Sequence, residues 1–172
     1  MYGCAEEEKP SILFTKRKSH KRAAAVQGES VPGVVLDTNV VLDWLVFADP
    51  SVEALAGAVR QARLRWWATA PMREEFALVV DRLSRSRAEL DCERLLTEFD
   101  RWSDHPPDPV LEPAPPPPRC ADPDDQPFID LALAAGARWL FTRDKALLAL
   151  ARPSLARGLV VTTPLRWRYT PR

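Results

Sequence analysis

Apolar residues along the chain alternate between short dense runs and longer stretches where they recur every three or four positions. Val34-Val35-Leu36 is the first dense run, and it ends abruptly at Asp37. A run of that length without polar interruption predicts a buried parallel strand. Helical spacing follows around residues 41–47, and Asp49-Pro50-Ser51 stops that helix and starts another at about 52–62. Residues 64–69 predict a second strand. Pro71 suits the first turn of a third helix over 72–83, and a further amphipathic helix is expected over 88–102.

The prolines of 105–119, which include Pro115-Pro116-Pro117-Pro118, exclude helix and predict an extended surface loop, with Val110-Leu111 as a short edge strand inside it. Beyond it the pattern predicts a helix over 127–135, a strand over 139–141, a helix beginning at 144–150 and a last strand over 159–162. Strands alternating with helices imply an α/β fold, a parallel sheet covered on both faces. Such sheets bind ligands at the carboxyl ends of their strands. Two acids fall there, Asp37 after the first strand and Asp144 just after Phe141-Thr142.

The pattern fails before residue 33. Residues 1–32 carry the charge runs 6–9 and 16–22 with no sustained apolar period, which predicts a disordered tail. Lys16, Arg17, Lys18, Lys21 and Arg22 are its only support for an RNA-binding arm. One domain is expected over 33–165, with the Pro-rich loop as an insertion and 166–172 as a C-terminal tail. Hydrophobic residues make up 46% of the 172, enough for a core without disulfide staples. The 3 cysteines, Cys4, Cys92 and Cys120, are scattered, so neither a disulfide framework nor a zinc site is expected. No apolar stretch has the length of a membrane span, and Glu6, Glu7 and Glu8 stand where a signal peptide needs basic residues. The expectation is a soluble cytoplasmic protein. Formal net charge is zero, so a nucleic-acid partner would need a local basic rim or a metal rather than a global field.

The acids are the chemistry-bearing residues. Asp37 and Asp144 both precede helices, where capping competes with function, and Asn39 is a common cap and turn residue. Of the adjacent pair Glu74 and Glu75, helical phase places Met72, Phe76, Val79, Val80 and Leu83 on one face, Glu74 opposite it and Glu75 at its edge. If one of the pair is a ligand, it is Glu75, and Glu74 is a solvated charge. Asp122, Asp124 and Asp125 precede an apolar helix in greater number than capping requires, and Asp130 is either a supporting partner or the exposed edge. Carboxylates gathered at close range raise one another's pKa, and a hard divalent cation removes that penalty, which points to Mg²⁺ or Mn²⁺. With only His20 and His105 in the chain, a histidine-based site has little to work with. No glycine-rich phosphate loop is present.

In this order and spacing, Val35-Leu36-Asp37-Thr38-Asn39-Val40, Arg73-Glu74-Glu75-Phe76, Asp124-Asp125-Gln126-Pro127-Phe128-Ile129-Asp130-Leu131-Ala132 and Thr142-Arg143-Asp144-Lys145 resemble the PIN-domain family, in particular its VapC-like toxin branch. The resemblance covers about residues 34–163. It implies a three-layer α/β/α sandwich around a parallel sheet, with metal and catalytic carboxylates at Asp37, Glu75, Asp125 and Asp144. Asn39 and Thr142 would support them. The chain departs from the family pattern at Pro127, which bears on the choice between Asp124 and Asp125; Asp125 is the expected ligand and Asp124 a supporting acid. The implied activity is Mg²⁺- or Mn²⁺-dependent hydrolysis of RNA, often by a toxin paired with an antitoxin. Arg143 and Lys145 flank the site in sequence and are expected to meet the RNA backbone. Trp44 and Phe47 are candidates for a homodimer seam or an antitoxin contact, the alternative being that both are core. The rivals are a PIN-like binding module without activity and a haloacid-dehalogenase-type phosphatase, whose required second Asp is Asn39 here. A response-regulator receiver would need acids and a lysine that the chain lacks.

Overall fold

The computed structural model describes residues 31–106 and 116–167. The charged N-terminal segment and Val110-Leu111 lie outside the described residues. Five parallel strands form one sheet: β1 (Gly33–Leu36), β2 (Arg65–Trp67), β3 (Ser103–Asp104), β4 (Trp139–Phe141) and β5 (Val160–Thr162). Their order is β3-β2-β1-β4-β5. The chain therefore moves outward from β1 through β2 to β3, then returns to the other side of β1 for β4 and β5. Sheet order reverses between β1 and β4, and the crevice beyond the carboxyl ends of those two strands is where such a sheet opens to a ligand.

Side-chain alternation assigns each strand residue to a layer. Val34, Leu36, Trp66, Trp139 and Phe141 face one core, shared with α1 (Thr38–Leu45), α2 (Glu53–Arg60), α3 (Ala70–Ser84) and α4 (Cys92–Trp102). Val35, Leu140 and Val161 face the other, shared with α5 (Gln126–Ala134) and α6 (Lys145–Ala149). A last short helix, α7 (Ala151–Leu155), precedes β5. This is the expected three-layer α/β/α arrangement. The first layer is aromatic: Phe99 stacks edge-on to Trp66 at 4.7 Å and tilted against Phe76 at 5.3 Å. Truncating Phe99 to Ala would cost about 3–5 kcal/mol.

Several boundaries differ from expectation for local reasons. Helix α1 begins at Thr38, directly after the first strand, because Val40, Val41, Leu42 and Trp44 already supply a buried face from the first turn. Trp44 is consequently core, only 6% exposed, and drops out as a docking residue, whereas Phe47 is 43% exposed. The expected helix over 52–62 opens as a 3-10 turn at Pro50–Val52 capped by Asp49, whose side chain accepts from the Ser51 amide. The edge strand beside β2 is Ser103–Asp104, a pairing too short to leave a sequence pattern. The expected helix from 144 breaks into α6 and α7 at Leu150. Trp167, expected in the C-terminal tail, is buried edge-on to Trp139 and Phe141 at 5.9 and 5.5 Å, so packing extends past residue 165. No described helix is long and apolar enough to cross a membrane.

Candidate functional site

Asp37 follows β1 without a gap, and its amide donates to the Phe141 carbonyl at 2.9 Å, locking the residue to the end of β4. It occupies the N-cap position of α1, yet its carboxylate makes no capping bond. The carboxylate instead accepts from the Thr142 hydroxyl at 2.7 Å and from the Asn39 side-chain amide at 3.5 Å. Asp37 is 3% exposed and Thr142 is fully buried. Burial pushes the Asp37 carboxyl above its ordinary pKa, the bonds from Thr142 and Asn39 oppose that, and the Asp144 charge adds to it.

Thr142 is the joint of the site. Its single hydroxyl donates to Asp37 and accepts the Asp144 amide at 2.8 Å, so the two strand ends share one oxygen. Asp144 does cap its helix, accepting from the Ala146 and Leu147 amides at 2.6 and 3.3 Å. Both capping bonds use Oδ1 alone.

Glu75 arrives from α3. Met72, Phe76 and Val80 are its buried residues, which is the phase expected from sequence, and Glu74 points to solvent. A two-bond pairing of Arg73 with Asp100, at 2.5 and 2.8 Å, fixes α3 against α4. The Glu75 carboxyl is raised by desolvation, lowered by a hydrogen bond from the Thr38 hydroxyl, and raised again by Asp37 and Asp124.

Asp125 precedes α5 and makes no capping bond. Pro127 lies in the first turn of that helix, where no N–H is required, so it leaves Asp125 in place. The Asp125 carboxyl is pushed up to about 6, first by desolvation, then by the charges of Asp144, Asp37 and Asp122 and by a hydrogen bond to Asp144. Asp124 is exposed; its amide donates to Asp122 at 3.0 Å, and its charge acts on Glu75. Asp130 lies one turn along α5 and accepts from the Gln126 amide at 2.7 Å. Gln126 in turn holds the end of the Pro-rich segment through the Cys120 amide at 2.7 Å and the Pro118 carbonyl at 3.2 Å.

The structure thus brings Asp37, Asn39, Thr142, Asp125 and Asp144 to the β1–β4 crevice, with Glu75 and Asp124 at its side. Thr38, Gln126 and Asp43 escape sequence reasoning. Thr38 is detectable only as a hydroxyl beside an acid, and the other two depend on contacts with distant segments. Arg143, expected to meet RNA, turns instead to Asp43, Asp49 and Ser51. Lys145 is exposed and makes no hydrogen bond or ion pair among the described residues.

An all-oxygen set of like charges, in which Asp37, Glu75 and Asp125 have carboxyl pKa values raised first by desolvation and then by neighbouring carboxylates, has the chemistry of a hard divalent cation site. The side-chain arrangement is looser than that chemistry requires: among the described residues, no group of three or more His, Cys, Asp or Glu is close enough to hold an ion as it stands.

No curated protein and no solved structure matches the chain. A family model described as PIN domain matches residues 33–146, a span that runs from the start of β1 to the first turn of α6 and contains every acid of the crevice. PIN domains are generally nucleases, and by this match the chain belongs to the PIN domain family.

Proposed function

We propose that the chain is a metal-dependent endoribonuclease that hydrolyses RNA phosphodiester bonds with Mg²⁺ or Mn²⁺, as the toxin of a toxin-antitoxin pair in the cytoplasm. The observation that carries the reading is Asp37. A buried carboxylate at a helix N-terminus would ordinarily cap it, but this one makes no side-chain capping bond of good geometry and lies near the charges of Asp144 and Asp125. Structure alone gives no return for a desolvated acid held near Asp144 and Asp125; a cation does.

Asp37, Glu75, Asp125 and Asp144 would hold the metal, which when bound supplies Lewis-acid polarisation of the phosphate and acidifies water. Thr142 and Asn39 orient Asp37 by donating to it. Asp124 adds negative potential at the Glu75 side. Lys145, exposed at the start of α6, would meet a backbone phosphate as a point charge. Phe47, exposed together with Leu78, Leu155 and Leu165 among the described residues, would be a candidate for an antitoxin or homodimer contact.

The test is cleavage of labelled single-stranded RNA in Mg²⁺, Mn²⁺ and chelator, with Asp37→Asn alongside. Cleavage by the parent that needs metal, and loss of more than about a hundred-fold in the variant, is expected, since even outer partners of metal ligands cost about ten- to a hundred-fold. A variant that cuts at the parent rate refutes the proposal.

A further inference from the structure

We propose that Arg143 is a positioning residue, whose guanidinium ties the Thr142–Asp144 turn to α1 and the loop after it and so fixes the two groups that Asp37 meets. The inference rests on the nuclease reading above and gives it a residue that does not touch the substrate.

The guanidinium makes three bonds to three residues distant in sequence: Nε to Asp43 Oδ2 at 2.5 Å, Nη2 to the Ser51 hydroxyl at 2.8 Å, and Nη2 to Asp49 Oδ2 at 3.2 Å. The acceptors are themselves fixed. The Asp49 amide donates to the Asp43 carbonyl at 2.8 Å, and Asp49 Oδ1 accepts from the Ser51 amide at 2.7 Å. Arginine's planar fork suits several oxygens held in such a frame, where a lysine offers only a point charge.

Two carboxylates on one guanidinium leave the cluster formally negative, which is the wrong sign for an RNA phosphate. Half-exposed ion pairs of this kind contribute about 0–1 kcal/mol to stability, so the tether acts through geometry rather than through stability. Its place in the chain makes that geometry matter. Residue 143 lies between Thr142, which donates to Asp37, and Asp144, whose amide donates to Thr142. Consecutive Cα atoms are about 3.8 Å apart, so fixing residue 143 fixes both neighbours. The other end of the tether is on α1, the helix that Asp37 and Asn39 begin.

The experiment compares the parent with Arg143→Gln, Arg143→Lys, Asp43→Asn, the double variant Arg143→Gln/Asp43→Asn and Lys145→Gln. It measures Mn²⁺ affinity by calorimetry, kcat and KM for single-stranded RNA, and the slope of log KM against log salt, with thermal melts to verify folding. A tether predicts that Arg143→Gln and Asp43→Asn each weaken Mn²⁺ binding and kcat by about ten- to a hundred-fold, at unchanged KM and salt slope. Arg143→Lys recovers part of the loss, and the double variant is no worse than the single ones. Lys145→Gln, a phosphate contact, moves KM and the salt slope instead.

Two results overturn the inference: Arg143→Gln behaving like Lys145→Gln, or Mn²⁺ affinity and kcat at parent values in both Arg143→Gln and Asp43→Asn. Should Arg143→Gln fail to fold, Asp43→Asn and Arg143→Lys decide by the same measures. A parent that binds Mn²⁺ but leaves RNA uncut removes the ribonuclease reading while the affinities still decide the tether. A parent that binds no Mn²⁺ removes both.

Discussion

The β1–α1 and β4–α6 junctions have the same plan in sequence, an apolar strand, an aspartate and then a helix, and they use that aspartate differently. Asp144 caps its helix with one oxygen and leaves the other. Asp37 occupies the same position before its helix and makes no capping bond of good geometry, its carboxylate being held by Thr142 and Asn39. The difference arises from depth. Asp37 is almost wholly buried in the sheet crevice between two strand ends, whereas Asp144 sits partly exposed on the rim of the same crevice. Two residues that sequence treats alike therefore differ: one is a buried acid held by side chains of the sheet crevice, the other an acid that caps its helix.

The largest effect that would break this comparison lies on activity. Asp37→Asn and Asp144→Asn should both remove cleavage, but only Asp37→Asn should hold or raise the melting temperature in chelator. It relieves a buried charge, whereas the Asp144 charge is already stabilised at a helix N-terminus. A clear loss of stability in Asp37→Asn would mean that its carboxylate supports the fold after all.

The next effect tests the third acid. Glu75→Gln should lower kcat by about a hundred-fold or more, as a lost ligand must exceed the loss of an outer partner. Glu74→Gln, on the solvent side of the same helix, should leave cleavage nearly intact. Equal losses in the two variants would show that the crevice does not use Glu75.

Smaller is the cost of the cap itself. Asp144→Ala should destabilise the chelated protein by about 0.5–2 kcal/mol, and Asp144→Asn by much less, because asparagine caps as well as aspartate. The same pair of changes at Asp37 should show no such ordering. Denaturant melts in chelator make the comparison directly.

The smallest effect is a pH slope. The Asp125 carboxyl is raised from 3.8 to about 6, so the folded protein binds its proton more tightly than the unfolded chain does. The stabilisation is fully present below the unfolded value and is lost as pH rises through the folded one. Metal-free stability should therefore fall between about pH 4 and about pH 6. Asp125→Asn should flatten that fall. A parent whose melting temperature rises steadily across this window would contradict the desolvation of Asp125 and its crowding by Asp144 and Asp37.

Sequence patterning carried most of the fold because the strands are short, apolar and bounded by acids, as in Val34–Leu36 before Asp37. The phase of α3 was legible from Met72, Phe76 and Val80, which is why Glu75 could be separated from Glu74. The partners that orient the site were not legible. Thr142 reaches Asp37 across 105 positions and Arg143 reaches Asp43 across 100, and no local period encodes such a meeting. The burial of Trp44 was undecided in sequence for a different reason: a tryptophan on an early helix has the same local signature buried or exposed, and only contact with Trp66 at 5.7 Å and Trp102 at 6.4 Å decides it.

The unequal sharing of aromatics between the two faces of the sheet has an optical consequence. Of the 6 tryptophans, Trp44, Trp66, Trp139 and Trp167 are buried in the layer with α1 to α4 and Trp102 packs against it, while only Trp67 leans on the other layer. Intrinsic fluorescence therefore reports one side of the molecule. Any unfolding that began on the α5 side would pass nearly unseen in emission while far-ultraviolet dichroism recorded the lost helix. Coincident curves from the two signals would mean that both layers melt as one.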